Sequence, residues 1–187
     1  MGIINSLANH FSLTNAWIIT IPVWLLGIFI SRLNKKGMKR ATDMSWYTAM
    51  DKISSFGSLF LMISYLLVSI YIPIKTNNIF FIIGIIFIII FTFVHYSAKI
   101  TYSKTDENCP ASTGIYKISR NPMYFSLSFV FLGVIFITQS PLLLIIWIIM
   151  SIFTHILIIG EEKYCISKYG NTYIQYIKTV PRYILFF

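Results

Sequence analysis

Charge is what this chain has least of. Only 11% of its 187 residues are Asp, Glu, Lys or Arg, against about one quarter in soluble domains. Acids are the scarcer sign, six against fifteen basic residues, for a formal net charge of +9. A chain that is 57% hydrophobic and 17% aromatic has too few charges to coat a soluble surface, so the composition is that of a membrane protein. Cysteine is also rare. Cys109 and Cys165 stand far apart without metal-ligand spacing, which leaves no disulfide framework and no metal site to expect. A Walker loop, G-x-G-x-x-G, a zinc pattern and a Ser/His/Asp order are all missing, so hydrolysis and ATP-driven chemistry have no support.

The charges that exist are gathered between long apolar blocks. Residues 1–31 contain none, and the apolar part, 16–30, suffices for a tilted span once its flanks are counted. A basic start and a small-residue cleavage site are both missing, against a cleaved leader. The opening Met-Gly-Ile-Ile-Asn-Ser fits a myristoylation pattern, read as chance because the topology below puts that end on the far side. Residues 32–52 form a basic connector with Trp46 and Tyr47, a composition that suits the headgroup layer. Residues 53–74 and 79–98 read as two further spans around a tight turn at 75–78. A polar segment, 99–120, precedes forty residues without a charge, 121–160. Forty helical residues would reach about 60 Å, twice the hydrocarbon thickness. Thr138-Gln-Ser-Pro141 therefore reads as the turn of a hairpin, and the tail 161–187 as too charged to span.

The expectation is an all-α, polytopic membrane protein with five transmembrane helices in a single domain, 1–187. Fourteen basic residues and all six acids fall on one side, with only Lys75 on the other. That asymmetry puts the N-terminus outside and the C-terminus in the cytoplasm, and its lipid-facing placement argues against nucleic acid.

Two polar clusters bracket the hairpin 122–160. Asn121-Pro122 can start a helix as N-cap and first residue, leaving Gly114, Tyr116, Arg120 and Tyr124 without a structural reason. A helix N-terminus at the interface also presents free N–H groups to a carboxylate ligand. Glu161 and Glu162, where the fifth span emerges, oppose the helix dipole and point about 100° apart, so only one need face a pocket. His155 shares a face with Glu162 inside the membrane; both it and His95 are intramembrane groups that chemistry or a neutral structural role would explain equally. Tyr169, Tyr173 and Tyr176 are spaced as one helical stripe that packs or walls a pocket.

Gly114-x-Tyr116-x-x-x-Arg120-Asn121-Pro122-x-Tyr124, the hairpin, Glu161-Glu162 and Tyr169-Gly170-x-x-Tyr173-x-x-Tyr176-x-x-x-Val180-Pro181-Arg182 together resemble integral-membrane methyltransferases. That group includes isoprenylcysteine carboxyl methyltransferase and the phospholipid (phosphatidylethanolamine) N-methyltransferases. The resemblance covers about 99–183 and implies S-adenosylmethionine as cofactor, held on the cytoplasmic side by segments 99–124 and 161–187. Carried over by position, Tyr116, Asn121, Pro122, Met123, Tyr124 and Glu161 would line its site, with Asn108, Cys109, Pro110 and Ala111 along the adenosine. Arg120 and Arg182 would hold the donor carboxylate or an acceptor phosphate. The acceptor would be a membrane lipid or other apolar molecule. An amine acceptor must lose a proton, which makes Glu162 or His155 candidate bases, with Arg182 beside them; the residues do not choose between them. The carboxyl-methylating branch has His where this chain has Asn121, and an acceptor-binding Arg where it has Leu157. Leu157 cannot pair a carboxylate, so the phospholipid-amine branch is preferred. Alternatives are a nicotinamide-dependent reductase, since membrane sterol reductases resemble the family in their C-terminal half, and a non-enzymatic scaffold or transporter.

Overall fold

The computed structural model describes residue 12, residues 14–33 and residues 35–184; the N-terminal myristoylation pattern lies outside them. The described chain is all helical: α1 (Trp17–Leu33), α2 (Lys35–Lys39), a 3-10 turn (Arg40–Thr42), α3 (Ala49–Ser69), α4 (Ile79–Lys104), a second 3-10 turn (Gly114–Lys117), α5 (Pro122–Thr138), α6 (Pro141–Tyr169) and α7 (Asn171–Thr179). By length and composition α3, α4 and α6 can each cross a membrane, and Trp17–Arg32 and Pro122–Thr138 are shorter apolar helices.

Local chemistry sets the boundaries. The Thr48 side chain accepts from Asp51 N while the Asp51 carboxylate accepts from Thr48 N, a reciprocal box that starts α3. Asn78 caps α4 through Phe81 N at 3.0 Å. Gln139 turns left-handed (φ 50°) to end α5, and Ser140 and Pro141 begin α6, so the hairpin turns where the sequence said.

Two boundaries differ from expectation. α4 runs on to Lys104, making Lys99 a helical residue, and α6 continues past Glu161 and Glu162 to Tyr169. Nothing in 161–169 breaks a helix until Gly170 takes φ +56°, so the acids lie two turns inside the helix and not at its end. Gly170 also divides the tyrosine stripe, leaving Tyr169 on α6 and Tyr173 and Tyr176 on α7, still with neighbouring rings 6.5 and 5.7 Å apart.

The helices pack through small residues and buried polar links. A Cβ on Gly84 would run into Ile137 and Gly133 O; one on Gly133 would meet Gly84 O at 2.9 Å. This reciprocal pair lets the α4 and α5 backbones touch, as is common where lipid supplies no hydrophobic drive between helices. Gly160 of α6 likewise admits the Asp51 carboxylate at the start of α3. Tyr65, fully buried, donates to Phe131 O at 2.8 Å and ties α3 to α5. The start of α1 is fastened to the end of α3 by Ala16 N→Ile72 O (2.9 Å) and by the Thr20–Ser69 hydroxyl pair (2.8 Å). Outside this core, Phe60 and Phe93 are 70% and 74% exposed, which suits a surface turned to lipid.

Replacing Gly133 with Val should separate α4 and α5 at a cost of about 1–3 kcal/mol. A clear fall in the unfolding midpoint in detergent is expected; an unchanged midpoint would show that the close approach is not needed.

Candidate active site

The site is assembled by one buried ion-pair cluster. Arg120, 6% exposed, donates Nε to Glu162 Oε1 at 3.1 Å, and Asn121 Nδ2 donates to the same oxygen at 2.9 Å. Arg182 reaches the other oxygen, Nε to Oε2 at 3.1 Å and Nη2 to Oε2 at 2.9 Å. Glu162 thus has both oxygens engaged, and those bonds hold the Arg182 guanidinium above its ordinary range. The second Arg120 nitrogen satisfies carbonyls at the end of α7, Ile177 O at 3.0 Å and Val180 O at 2.5 Å. Arg120 N→Pro181 O (2.9 Å) and Ser119 Oγ→Arg182 O (2.9 Å) complete the seam. A cation at a helix C-terminus is also favoured by the dipole. The Val-Pro-Arg segment therefore has a structural reason: it closes the tail onto the start of α5.

This arrangement redefines Asn121, which makes no side-chain cap on α5 and donates instead to Glu162. The two glutamates take different surroundings, as adjacency on a helix requires. Glu161 faces a polar cleft that Tyr124 also lines, and its Oε2 is buried without a partner.

Nine residues expected at a cofactor line that cleft: Pro110 and Ala111, Tyr116, the run Arg120 to Tyr124, and Glu161. Asn108 and Cys109 do not; both are exposed, and Cys109 contributes only a carbonyl, 3.5 Å from Arg40 Nη1. Of the candidate catalytic groups, Glu162 and Arg182 are engaged with each other. His155 is exposed on α6 with Nδ1 2.8 Å from the Tyr183 hydroxyl, away from the cleft. It does share a face with Glu162, since both meet the tail.

Three cleft residues carried no sequence signal. Arg40 lies over the Tyr102 ring at 4.2 Å and donates to Asp106 O at 2.7 Å, bracing the basic connector against the loop after α4. Cys165 completes the wall beside Tyr169, Tyr173 and Tyr176. A neighbouring lobe adds Asp43, Trp46 and Tyr164, with Trp46 stacked on Tyr164 at 4.8 Å. In the cleft the Tyr116 hydroxyl is also buried without a partner, and burial, then the Glu161 charge, pushes its pKa well above a phenol's ordinary value.

A second and larger cavity, about 600 Å³, opens between α1, α2, α3, α4 and α5. Its wall is mostly apolar, Ile19, Val23, Leu66, Leu127 and Val134 among others. Arg32, Lys35, Lys39 and Lys99 line it and no acid does. Lys99 Nζ is 3.3 Å from Ser31 Oγ and has no carboxylate partner among the described residues. Met123 and Tyr124 line both this cavity and the polar cleft; Tyr124 lines the neighbouring lobe as well.

A helical membrane protein that sets a polar cleft against a lipid-sized cavity is the class these features define. The chain belongs to the phospholipid methyltransferase family, whose pattern matches residues 53–172. It is a membrane methyltransferase. Comparison with curated proteins and with solved structures finds no match.

Removing the Glu162 carboxylate should strand Arg120 as a buried, uncompensated cation. Glu162→Ala is expected to lose about 3–5 kcal/mol of stability, and Arg182→Ala, at the more exposed partner, distinctly less. Denaturant titration in detergent would read this order; equal, negligible losses would remove the cluster from its organising role.

Proposed function

We propose that the protein transfers a methyl group from S-adenosylmethionine to the amine of a membrane phospholipid. The observation that carries the cofactor half is the pair of partnerless polar atoms in the cleft, Glu161 Oε2 and the Tyr116 hydroxyl. Buried groups without partners are costly, and a ligand carrying a cation and hydroxyl groups would satisfy both. Glu161 would face the cationic part of the cofactor and Tyr116 a polar atom of it. Tyr102, Tyr173 and Tyr176 offer ring faces to a sulfonium or a base, and Pro110 and Ala111 would flank the adenosine. When bound, the cofactor supplies a methyl already activated by its sulfonium. The cleft is narrow, about 60 Å³, against several hundred for ligands of that size. Binding would therefore have to widen it, and Arg40, which lines it from the connector, is a side chain that would reset against the occupied site. Arg120, Asn121, Glu162 and Arg182 position the cleft.

The acceptor half rests on the larger cavity. An apolar wall with four basic residues and no acid matches an amphiphile with an anionic group. Lys99, half-buried without a carboxylate, would hold the phosphate. Buried Leu157 supports the phospholipid branch, since an apolar side chain at that position cannot pair an isoprenylcysteine carboxylate. Met123 and Tyr124 would stand where the two ligands meet, so the protein aligns donor and nucleophile and excludes water. The topology that suits this chemistry is five spans in one domain, N-terminus outside, with segments 99–124 and 161–187 forming the cytoplasmic site around the hairpin 122–160.

Calorimetry on detergent-purified protein should detect S-adenosylmethionine and its demethylated product but not NADPH. Glu161→Gln should weaken both by roughly tenfold or more, as for a charged hydrogen bond. NADPH binding with no sulfur-compound binding would overturn the cofactor assignment in favour of a reductase. In assays with an ethanolamine phospholipid, Lys99→Gln should raise KM about tenfold with kcat retained, the mark of lost uniform binding. An unchanged KM would remove Lys99 from the phosphate site.

A further inference from the structure

Four polar or basic residues of α4 line the large cavity in sequence: Thr92, His95, Tyr96 and Lys99. His95 is the informative one. Its Nδ1 is 3.0 Å from Met123 O, and a carbonyl only accepts, so Nδ1 carries the ring hydrogen. Ser126 Oγ lies 3.4 Å from the same nitrogen, and its own hydrogen goes to Pro122 O. Nε2 is then a bare lone pair with no protein partner among the described residues, in a residue that is only 8% exposed and lines the cavity. One turn earlier on the same face, Thr92 Oγ1 is buried and also partnerless. Two unpaired acceptors therefore share one wall of a cavity that contains no acid.

An ammonium group has only N–H donors to offer, and this wall has acceptors waiting for it. Its placement fits as well. Lys99 follows His95 by one turn, about 6 Å along the axis, and its Nζ points toward Ser31 of α1, whereas the His95 ring points toward α5. A phosphate on the α1 side and an amine on the α5 side would bring the amine against Met123, a residue shared with the polar cleft.

We infer that His95 accepts a proton from the ammonium of the acceptor, with Thr92 holding a second N–H. The inference rests on the phospholipid-amine reading above. In the step one N–H bond of the ammonium breaks, its electron pair stays on nitrogen as the lone pair a nucleophile needs, and the proton joins Nε2. A neutral amine and an imidazolium result, with charge conserved; the imidazolium returns its proton to water after turnover. The other charged or titratable groups facing this cavity are Tyr96 and Lys99 on α4, Tyr124 on α5, Arg32 on α1, and Lys35 and Lys39 on α2; α3 contributes none. His155 and Glu162, the bases that sequence reasoning offered, have no place on this wall.

The direct test needs no methyl donor. With histidine labelled by ¹⁵N in the full chain in detergent, the His95 signals are assigned by their loss in His95→Gln. The free protein should show the Nδ1–H form. A short-chain phosphatidylethanolamine should place an N–H on Nε2 and move its resonance away from the bare lone-pair position, while the phosphatidylcholine of the same chain length, which has no N–H, should not. An Nε2–H form of the free protein, or equal responses to the two lipids, would overturn the inference. With donor present, His95→Gln should lose at least about 100-fold in kcat/KM at pH 7. That loss should shrink as pH nears about 10, where an alkylammonium deprotonates unaided, with donor binding by calorimetry unchanged. A deficit equal at every pH would mean a structural role and overturn it. Wild-type protein that binds donor but methylates no ethanolamine head would overturn the acceptor reading, and this inference with it.

Discussion

The carboxylate of Glu162 is the point on which the site depends. It joins Arg120 and Asn121, at the start of α5, and Arg182, after α7, to α6, and among the described residues no other ion pair links these three parts of the chain. Placing those charges out of water is expensive, and the cost is offset only because every oxygen and most nitrogens find partners. The geometry of the neighbouring cleft follows. With Glu162 fixed, Glu161 has one direction left in which to point, and that direction is the pocket.

Two spaces of opposite character meet at a single helical turn. The polar cleft is walled by tyrosines and contains a partnerless carboxylate oxygen; the larger cavity is apolar, ringed with basic groups and open between helices. Pro122 starts α5 at this border, so Met123 and Tyr124 can present one side to each space. A methyltransferase working on a bilayer molecule faces one difficulty, that its water-soluble donor and greasy acceptor prefer different solvents. On the proposed reading, the shared one-turn wall would let each remain in its own surroundings up to the reacting atoms.

Much of this was legible in the sequence. The charge-free blocks announced helices, Thr138 to Pro141 announced the hairpin turn, and the resemblance carried by Gly114 through Tyr124 with Glu161 pointed to residues that the structure brings to one cleft. What was not legible has physical reasons. Helix continuation past Glu161 depends on the lack of a breaker, which hydropathy alone hides beneath the change from apolar to charged. The division of labour between two adjacent glutamates depends on which side the tail approaches, a tertiary fact. Arg40 was read as a topology charge because basic residues at membrane edges usually are, and its stacking on Tyr102 spans more than sixty residues of sequence. His95 and Lys99 belong to a cavity whose other walls come from α1, α2, α3 and α5, and no local spacing encodes such a space.

The tail segment bears on how the protein is made. Residues 180–182 follow every other part of the site in chain order, yet they supply Arg182 and the carbonyls that Arg120 and Ser119 need. During synthesis the apolar helices can settle in the bilayer one after another while Glu162 still lacks its second arginine. The catalytic half is therefore finished after the membrane half, in one closing event as the tail docks. A chain lacking this segment would keep Arg120 on one oxygen of Glu162 but leave the other without its arginine, and the Arg120 guanidinium without Val180 O.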